Sequence, residues 1–388
     1  MEDMLSQGED REPSRWPRRL GVIGAAVLVL VLGLVYLGRA GHSRSPAAAA
    51  STPASASTAE PTGIAGPDLL WAGSVQLPVA GSQPAWFSPA TGVSARIGGL
   101  PADSAGYQFI RADGGWVVRA GSGGELASGD ASVPPLPVWF LADGARSATR
   151  IGTANQVTPA ANAGAVWLTS YPPSSDPDTA ARTAREVSVS GVPLGRPVKL
   201  LTGYSIYQAT DRGLLLTPVS QRTGPQADKL WNPDDQTVSQ NFDAVLAASP
   251  AEIAWTPRCA ATCHVQVLNL ATGRQTAIEL PAGSFAEGAA FSPSGGLLGL
   301  QVMSDRGGGP STRLEVASTA SGRLTALPGT SVGSDTIVDF GWPTVGDSLV
   351  AEFIFPGTVQ LASWHPGASV LAVAVVRPGQ VQTSLVVG

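Results

Sequence analysis

The sequence predicts an all-β fold, a β-propeller of seven four-stranded blades, with six or eight as the alternatives. After residue 67, short runs rich in Val, Leu, Ile, Trp and Phe alternate with clusters of Gly, Pro, Asn and Asp. None of these runs keeps a helical apolar period over three turns, so they indicate strands separated by turns. A strand–turn–strand unit also recurs about every 45 residues, which is the length of one propeller blade.

The repeat is clearest near the beginning of this region. The segment 84–98 contains P-A-W-F, then T-G, then A-R-I-G, and the segment 137–152 contains P-V-W-F, then D-G, then T-R-I-G. Glycine at such turns fits a tight hairpin that needs a positive φ. Five further turns follow, at Gly195-Arg196, Asp234-Asp235, Gly273-Arg274, Gly322-Arg323 and Pro366-Gly367. Seven units therefore predict seven blades.

An apolar strand precedes most of these hairpins. These strands are predicted at 115–118, 165–169, 214–217, 253–256, 297–302 and 349–353. The first unit lacks a full set of strands, and a strand-like segment at 381–387 remains at the end of the chain. We expect this last segment to complete the first blade, because ring closure leaves no open sheet edge. Tryptophans in or beside the strands are expected to pack between blades: Trp86, Trp116, Trp139, Trp167, Trp255 and Trp342.

Before the repeats, residues 20–38 form an unbroken apolar run without a charged residue. As a helix the run would span roughly 28 Å, close to the ~30 Å hydrocarbon core of a bilayer. Four arginines precede it and only Arg39 and Arg44 follow it closely. This bias places the tail 1–19 in the cytoplasm and the rest of the chain outside the membrane. A cleaved signal peptide is the alternative, although its apolar region is normally shorter and directly followed by small residues.

Residues 39–67 are rich in Ala, Ser, Pro and Thr and are predicted to be a disordered linker. Residues 68–388 then form the extracytoplasmic propeller domain. The chain has a formal net charge of −5 and no basic block after the linker, so nucleic-acid binding has no electrostatic support. The expected partners are the membrane, through 20–38, and an envelope protein or a small ligand.

The turns carry a family resemblance. Phe291-Ser292-Pro293-Ser294-Gly295-Gly296 resembles the F-S-P-D-G turn of bacterial WD-repeat-like and TolB-type propellers, with Ser294 in place of the Asp. The Thr-Gly-Arg hairpin turns are similar to the "strand, D-x-x-T-G-R, strand" unit of the same proteins. The resemblance implies a propeller fold and a scaffold or ligand-binding role, but no activity.

Cys259 and Cys263 are the only cysteines and are predicted to form a disulfide that closes the loop between two strands. His264 could add a third metal ligand, but two cysteines and one histidine fall short of a closed zinc site. Free or redox-active thiols are the other alternative. No motif for a cofactor is present: the glycine pairs lack the Lys-Ser/Thr or strand-to-helix context of phosphate-binding loops.

Loops between the second and third strands of the blades are predicted at 171–186, 221–229, 258–264 and 305–311. Because such loops emerge on one face of a propeller, they would bring charged side chains to one rim. The candidate binding-face residues are Asp176, Asp178, Arg182, Arg185, Arg222, Asp228, Arg258, His264, Asp305 and Arg306. Mixed charge with several arginines suits a protein partner or an anionic ligand, while the alternative is a set of ordinary solvated loops.

These observations predict a non-enzymatic, membrane-tethered propeller that binds a partner at its loops. No G-x-S-x-G segment is present to supply a nucleophile for a Ser-His-Asp site. A cell-envelope hydrolase or lyase acting on glycan is the alternative, and it would need carboxylates or a histidine on the central channel. A sensor that signals through the tail 1–19 is a third hypothesis.

Overall fold

The computed structural model describes thirteen segments of the chain between residues 77 and 376. They are 77–79, 84–88, 93–101, 106–121, 134–172, 179–219, 226–257, 263–305, 310–333, 336–342, 348–355, 358–368 and 372–376. No helix within these segments is long and apolar enough to cross a membrane. The predicted tail 1–19, span 20–38, linker 39–67 and closing strand 381–387 lie outside the described residues and stay predictions.

The described chain forms seven antiparallel sheets, in which neighbours in sequence are neighbours in the sheet. An N-terminal sheet contains β1 (Leu77–Val79), β2 (Ala85–Ser88) and β3 (Val93–Arg96). Blade 1 contains β4 (Gly106–Ala112), β5 (Gly115–Gly121), β6 (Leu136–Ala142) and β7 (Thr149–Ala154). Blade 2 contains β8 (Gln156–Pro159), β9 (Ala165–Ser170), β10 (Thr183–Ser188) and β11 (Val198–Lys199).

The remaining four blades repeat this plan. Blade 3 contains β12 (Tyr204–Thr210), β13 (Gly213–Pro218), β14 (Asp228–Asn232) and β15 (Thr237–Phe242). Blade 4 contains β16 (Val245–Ala248), β17 (Glu252–Trp255), β18 (His264–Asn269) and β19 (Gln275–Glu279). Blade 5 contains β20 (Ser284–Phe291), β21 (Leu297–Asp305), β22 (Pro310–Ser318) and β23 (Leu324–Ala326), and the short β24 (Val332–Gly333) also pairs with β22. Blade 6 contains β25 (Ile337–Gly341), β26 (Leu349–Phe355), β27 (Thr358–Trp364) and β28 (Ala372–Val376).

The described residues thus form an all-β propeller with six blades, and the prediction of seven was wrong. The extra unit in the prediction is the N-terminal one. Its P-A-W-F and A-R-I-G segments do form the hairpin β2–β3, but the described sheet contains three strands. Sequence repeats count hairpins, whereas each of the six blades also has two strands before its hairpin, and the described N-terminal sheet has only β1 there. The six apolar strands predicted before the other hairpins all exist, as the second strands β5, β9, β13, β17, β21 and β26.

The turns between third and fourth strands use a glycine with positive φ in five of the six blades, whereas in blade 3 the residue with positive φ is Gln236. Gly273 and Gly322 both have φ near +71°. In blade 2, however, the glycine with positive φ is Gly191 rather than Gly195. The hairpin of that blade therefore turns earlier than the Gly-Arg repeat indicates.

The hydrophobic core is divided into layers between consecutive sheets. Residues from blades 4 and 5, such as Val267 and Leu300, form one layer, and residues from blades 5 and 6, such as Val316 and Phe353, form the next. The other layers join blades 2 and 3, blades 1 and 2, blades 3 and 4, and the N-terminal sheet and blade 1. All six tryptophans named above are buried. Two of them also tie neighbouring sheets together, because Trp86 Nε1 donates to Ala145 O (2.7 Å) and Trp342 Nε1 donates to Ala290 O (2.8 Å).

The antiparallel order gives each blade two different ends. Connections from first to second strand and from third to fourth strand lie at one end, which we call the turn-bearing face. Connections from second to third strand, and from one blade to the next, lie at the other end, which we call the loop-bearing face. Within each blade the first strand is the inner one, and first strands of neighbouring blades contact each other, as β4 does β8 and β20 does β25.

Candidate functional site

The predicted binding residues that the structure describes lie at or near the loop-bearing ends of their strands. Arg182 directly precedes β10, Asp228 begins β14, His264 begins β18, and Asp305 is the last residue of β21. Arg185 lies inside β10 with an exposed side chain. The other predicted members are outside the described residues: Asp176, Asp178, Arg222, Arg258 and Arg306. Their role in binding stays a prediction.

The strands extend further into the predicted loops than the sequence indicated. β10 begins at Thr183 and β22 at Pro310, so Arg185 belongs to a strand rather than to a loop. Arg182 and Asp228 are also buried instead of lying on a solvated rim. Both side chains make contacts inside the domain, which a search for charged loop residues could not reveal.

Two buried arginines flank Tyr171 at the loop-bearing face. Arg182 is 2% exposed, and its guanidinium carbon lies 5.1 Å from the centroid of the Tyr171 ring, a cation–π contact. Arg119, on β5 of blade 1, is 3% exposed. Burial lowers the pKa of the Arg119 guanidinium, and the hydroxyl group of Tyr171 opposes this effect. This group of side chains, Arg119, Tyr171 and Arg182, is called the arginine–tyrosine cluster below.

The main chain fixes Tyr171 within the cluster. The N–H of Tyr171 donates to Asn155 Oδ1 (3.1 Å), and the N–H of Asn155 donates to Thr169 O (2.9 Å). Asn155 lies in the connection between blades 1 and 2, so these bonds join that connection to the end of β9. The cluster therefore combines β5 of blade 1 with both ends of the 171–182 connection in blade 2.

Sequence reasoning named Arg182 but missed Arg119 and Tyr171. Arg119 was hidden because it lies within an otherwise apolar strand, G-W-V-V-R-A-G at 115–121. The one feature that could have pointed to Arg119 is a single arginine inside an apolar strand, because a buried charge needs compensating interactions.

Blade 3 has a second set of polar contacts at the same face. The carboxylate of Asp228 accepts a hydrogen bond from the N–H of Val245 (2.9 Å), the first residue of β16 in blade 4. Next to it, Lys229 Nζ lies 4.5 Å from the centroid of the Tyr204 ring. Asp228 thus links two blades, and its buried position follows from that structural role.

Cys263 lies directly before β18, is partly buried and packs against the core between blades 4 and 5. It is not a free thiol. Cys259 lies outside the described residues, so the Cys259–Cys263 pairing stays a prediction. His264 on β18 lies opposite Glu279 on β19 in the strand register. In the described part of the chain, no group of three His, Cys, Asp or Glu side chains is suited to a metal ion.

The inner strands of blades 5 and 6 carry two carboxyl groups. Glu287 lies on β20 and Asp339 on β25, beside a close approach between Gly288 and the ring of Phe340. Burial raises the pKa of Glu287, and Gln301 Nε2 donates to its Oε2 (3.4 Å). Asp339 is solvent-exposed, yet surrounding protein atoms raise its pKa to about 6, while the hydrogen bond from the N–H of Phe340 opposes the shift.

Glu287 owes its position to a β-bulge between Ala286 and Gly288. The inner strands of blades 3 and 4 have bulges in the corresponding region, at Tyr207 and Leu246. A bulge re-aims the side chain of the extra residue. Blade 5 is therefore the one of these three in which the re-aimed residue is a carboxylic acid.

Comparison with known proteins finds similarity only to solved structures. No family model and no curated protein matches the chain. Solved structures do match, at low identity. One is a structure of two prolyl endopeptidases, 12% identical, covering 69% of this chain and 41% of that chain with a TM-score of 0.46. The chain therefore spans less than half the length of that protein.

Two further structures are matched over a larger share of their own length. The β-propeller domain of the Trilobed protease from Pyrococcus furiosus is 8% identical and covers 70% of this chain and 84% of that chain, with a TM-score of 0.45. A putative 6-phosphogluconolactonase from Bacteroides fragilis is 12% identical and covers 78% of this chain and 96% of that chain, also with a TM-score of 0.45. With TM-scores below 0.5 these likenesses carry no argument, and the sheet topology of the described residues is the basis for assigning a six-bladed β-propeller.

Proposed function

We propose that this protein is a non-enzymatic binding module, held at the outer side of a cell membrane by the 20–38 span and the 39–67 linker. Its loop-bearing face binds an envelope protein or a small ligand. The observation that carries the proposal is the arginine–tyrosine cluster, which places two buried guanidinium groups beside one aromatic ring at the base of this face.

The cluster suits binding for a physical reason. The two guanidinium groups are buried, so the cluster supports the face rather than contacting a partner itself. Buried side chains fixed by packing lose little conformational freedom when a partner arrives, so they give this face a preorganised base. The exposed Arg185 on β10 adds a positive charge that a partner can reach directly.

Proximity crosslinking in the native membrane, with a C-terminally tagged chain, tests the proposal. Arg185→Glu reverses an exposed charge near the loop-bearing face, and Arg323→Glu is the matched control because Arg323 is an exposed arginine on the turn-bearing face. We expect partners captured by the wild type to be lost in Arg185→Glu and kept in Arg323→Glu. An identical partner set in all three chains would contradict binding at the loop-bearing face, and a tag located in the cytoplasm would contradict the proposed orientation.

The second candidate function is a hydrolase or lyase that acts on cell-envelope glycan at the channel. The observation in its favour is the presence of Glu287 and Asp339 on neighbouring inner strands, both with a raised pKa. A carboxyl group with a raised pKa can serve as a general acid near neutral pH. Release of soluble sugar from isolated cell wall by the wild type, lost in Glu287→Gln and in Asp339→Asn, would favour this candidate over the binding module.

A further inference from the structure

The third-to-fourth-strand hairpin of blade 2 projects apolar side chains into solvent from an ordered backbone. Its main chain is fixed by hydrogen bonds from Ser188 N–H to Val192 O (2.9 Å), Gly191 N–H to Ser188 O (2.8 Å) and Leu194 N–H to Glu186 O (3.0 Å). Val192 is nevertheless 57% exposed and Leu194 48% exposed, and Pro193 between them is exposed as well. We call residues 188–199 the blade 2 hairpin.

Positive charges surround this apolar tip. Arg196 and Lys199 are both exposed, and the blade 2 hairpin contains no acidic residue. On the neighbouring blade, exposed Arg150 is adjacent to Ile151, whose Cα would lie 3.3 Å from a Cβ added to Gly191. The acidic side chain nearest in sequence is that of Glu186, which is half-buried. The hairpin is therefore cationic, although the whole chain has a net charge of −5.

The rest of the turn-bearing face shares the exposed apolar side chains but carries both signs of charge, with exposed aspartates in its turns at Asp113, Asp143, Asp211, Asp234 and Asp235. Val93 and Val238 are also exposed, and each lies at the start of an outer strand just after a hairpin turn on this face. Among the described residues, four of the five large exposed hydrophobic side chains thus belong to the turn-bearing face. The repeated Gly-Arg turns add exposed arginines there, at Arg274 and Arg323.

The chain also joins the described domain on this side. Leu77, the first described residue, pairs with Phe87 near the β2–β3 turn, so it lies at the turn-bearing end of the N-terminal sheet. The segment that precedes it leads back through the 39–67 linker to the predicted 20–38 span. Nine residues lie between the predicted tether and Leu77, and such a tether holds a domain at a high effective concentration near the bilayer.

We propose that the blade 2 hairpin docks on the surface of a bilayer that contains anionic lipid. Val192, Pro193 and Leu194 insert at the level of the headgroups, and Arg196, Lys199 and Arg150 contact lipid phosphates, the arrangement by which amphipathic surfaces bind membranes. This inference rests on the membrane tether of the proposed function. It also implies that the loop-bearing face is directed away from the bilayer, toward its partner.

The test uses the full chain with Leu194→Cys, labelled with the environment-sensitive dye NBD. The labelled chain is mixed with or reconstituted into vesicles of phosphatidylcholine alone or of phosphatidylcholine with phosphatidylglycerol. We expect a shift of NBD emission to shorter wavelength, and quenching by lipids with a spin label near the headgroup, only in vesicles with phosphatidylglycerol. The matched control is Thr183→Cys with the same label, whose emission should not shift because Thr183 is exposed at the start of β10, at the loop-bearing end of blade 2.

Charge reversal separates docking on anionic lipid from a purely apolar contact with the bilayer. Arg196→Glu with Lys199→Glu, added to the labelled Leu194→Cys chain, should abolish the shift. Unshifted emission at position 194 in both kinds of vesicle overturns the proposal, and so does a shift that occurs only when a membrane-protein extract is added, which would indicate a protein interface. Flotation of the full chain with vesicles measures its membrane association through the tether independently of the label. A chain that does not float contradicts the tether. The label at position 194 still decides whether the blade 2 hairpin docks.

Discussion

The two faces of this propeller are stabilised in different ways. On the turn-bearing face the same main-chain hydrogen bond recurs from blade to blade. It runs from Asp143 N–H to Gly114 O, from Val189 N–H to Gly164 O, from Leu270 N–H to Ala251 O and from Thr319 N–H to Gly296 O. The loop-bearing face also has main-chain bonds, such as those from Val219 N–H to Gly203 O and from Thr256 N–H to Ala244 O, and it adds the buried arginines of the arginine–tyrosine cluster and the bond from Val245 N–H to Asp228.

The main-chain bonds recur in several blades, whereas each side-chain contact of the loop-bearing face occurs in one place. A main-chain bond needs no particular side chain, so the same bond can form in blades whose sequences differ. The side-chain contacts of the loop-bearing face depend on particular residues, and replacing one residue removes them. We therefore expect the main-chain bonds of both faces to tolerate substitutions except where backbone approaches backbone, and the loop-bearing face to be sensitive in addition at its buried arginines and at Asp228.

The largest effect is expected at a close backbone contact of the turn-bearing face. In Gly322→Ala the added Cβ would lie 2.2 Å from Ala277 O of blade 4, at a residue with φ +71°. Left-handed strain and overpacking together should lower the free energy of unfolding by about 2–5 kcal/mol. Gly273→Ala is the matched control, because it has the same φ and open space around the new methyl group; it should cost about 1–2 kcal/mol. Denaturant unfolding of the full chain measures both, and equal losses would refute the role of the inter-blade contact.

The next effect concerns the predicted disulfide at the loop-bearing face. Replacing Cys259 and Cys263 together by alanine should lower the free energy of unfolding by about 2 kcal/mol, because the bridge closes only a short loop in the unfolded chain. Unfolding with and without reductant measures the loss, and reductant should leave the double variant unchanged. Mass spectrometry of the alkylated native protein that found both thiols modified without reduction would show that the bridge does not form.

A smaller effect separates the ring of Tyr171 from its hydroxyl group. Tyr171→Leu removes the cation–π contact with Arg182 and should cost about 0.5–2 kcal/mol beyond the loss of packing. Tyr171→Phe keeps the ring and should be closer to the wild type. The free energies of unfolding of both variants decide the matter. If Phe is as damaging as Leu, the hydroxyl group and not the ring stabilises the cluster.

The smallest effect lies on the inner strands, which belong to neither face. The pKa of Asp339 is about 6 in the folded protein against an ordinary value of 3.8, so the fold favours the protonated carboxyl group. Its contribution to stability is complete below the ordinary value and is lost as the pH rises through about 6. Asp339→Asn does not titrate and should become more stable relative to the wild type over this interval. Thermal unfolding of both chains from acid to neutral pH measures the difference, and parallel curves would contradict the raised pKa.

The sequence by itself determined the fold class and the position of most strands. Apolar runs such as 165–169 and 349–353, with glycine turns between them, correspond to β9 and β26 because local periodicity and turn chemistry act over a few residues. The inter-blade tryptophans were predictable for the same reason, since each lies in or beside an apolar strand. The predicted span 20–38, the linker and the orientation also come from the sequence, and they stay predictions.

Only the tertiary structure decided the blade count and the nature of the loop-bearing face. A repeat of hairpins does not reveal how many strands precede each hairpin, so the N-terminal unit was counted as a blade although its described sheet has three strands rather than four. Arg119 and Tyr171 lie in different blades and meet only when blades 1 and 2 pack together. Burial of Arg182 and Asp228 likewise depends on partners distant in sequence, because the environment of a charged side chain is set by the atoms that surround it in space.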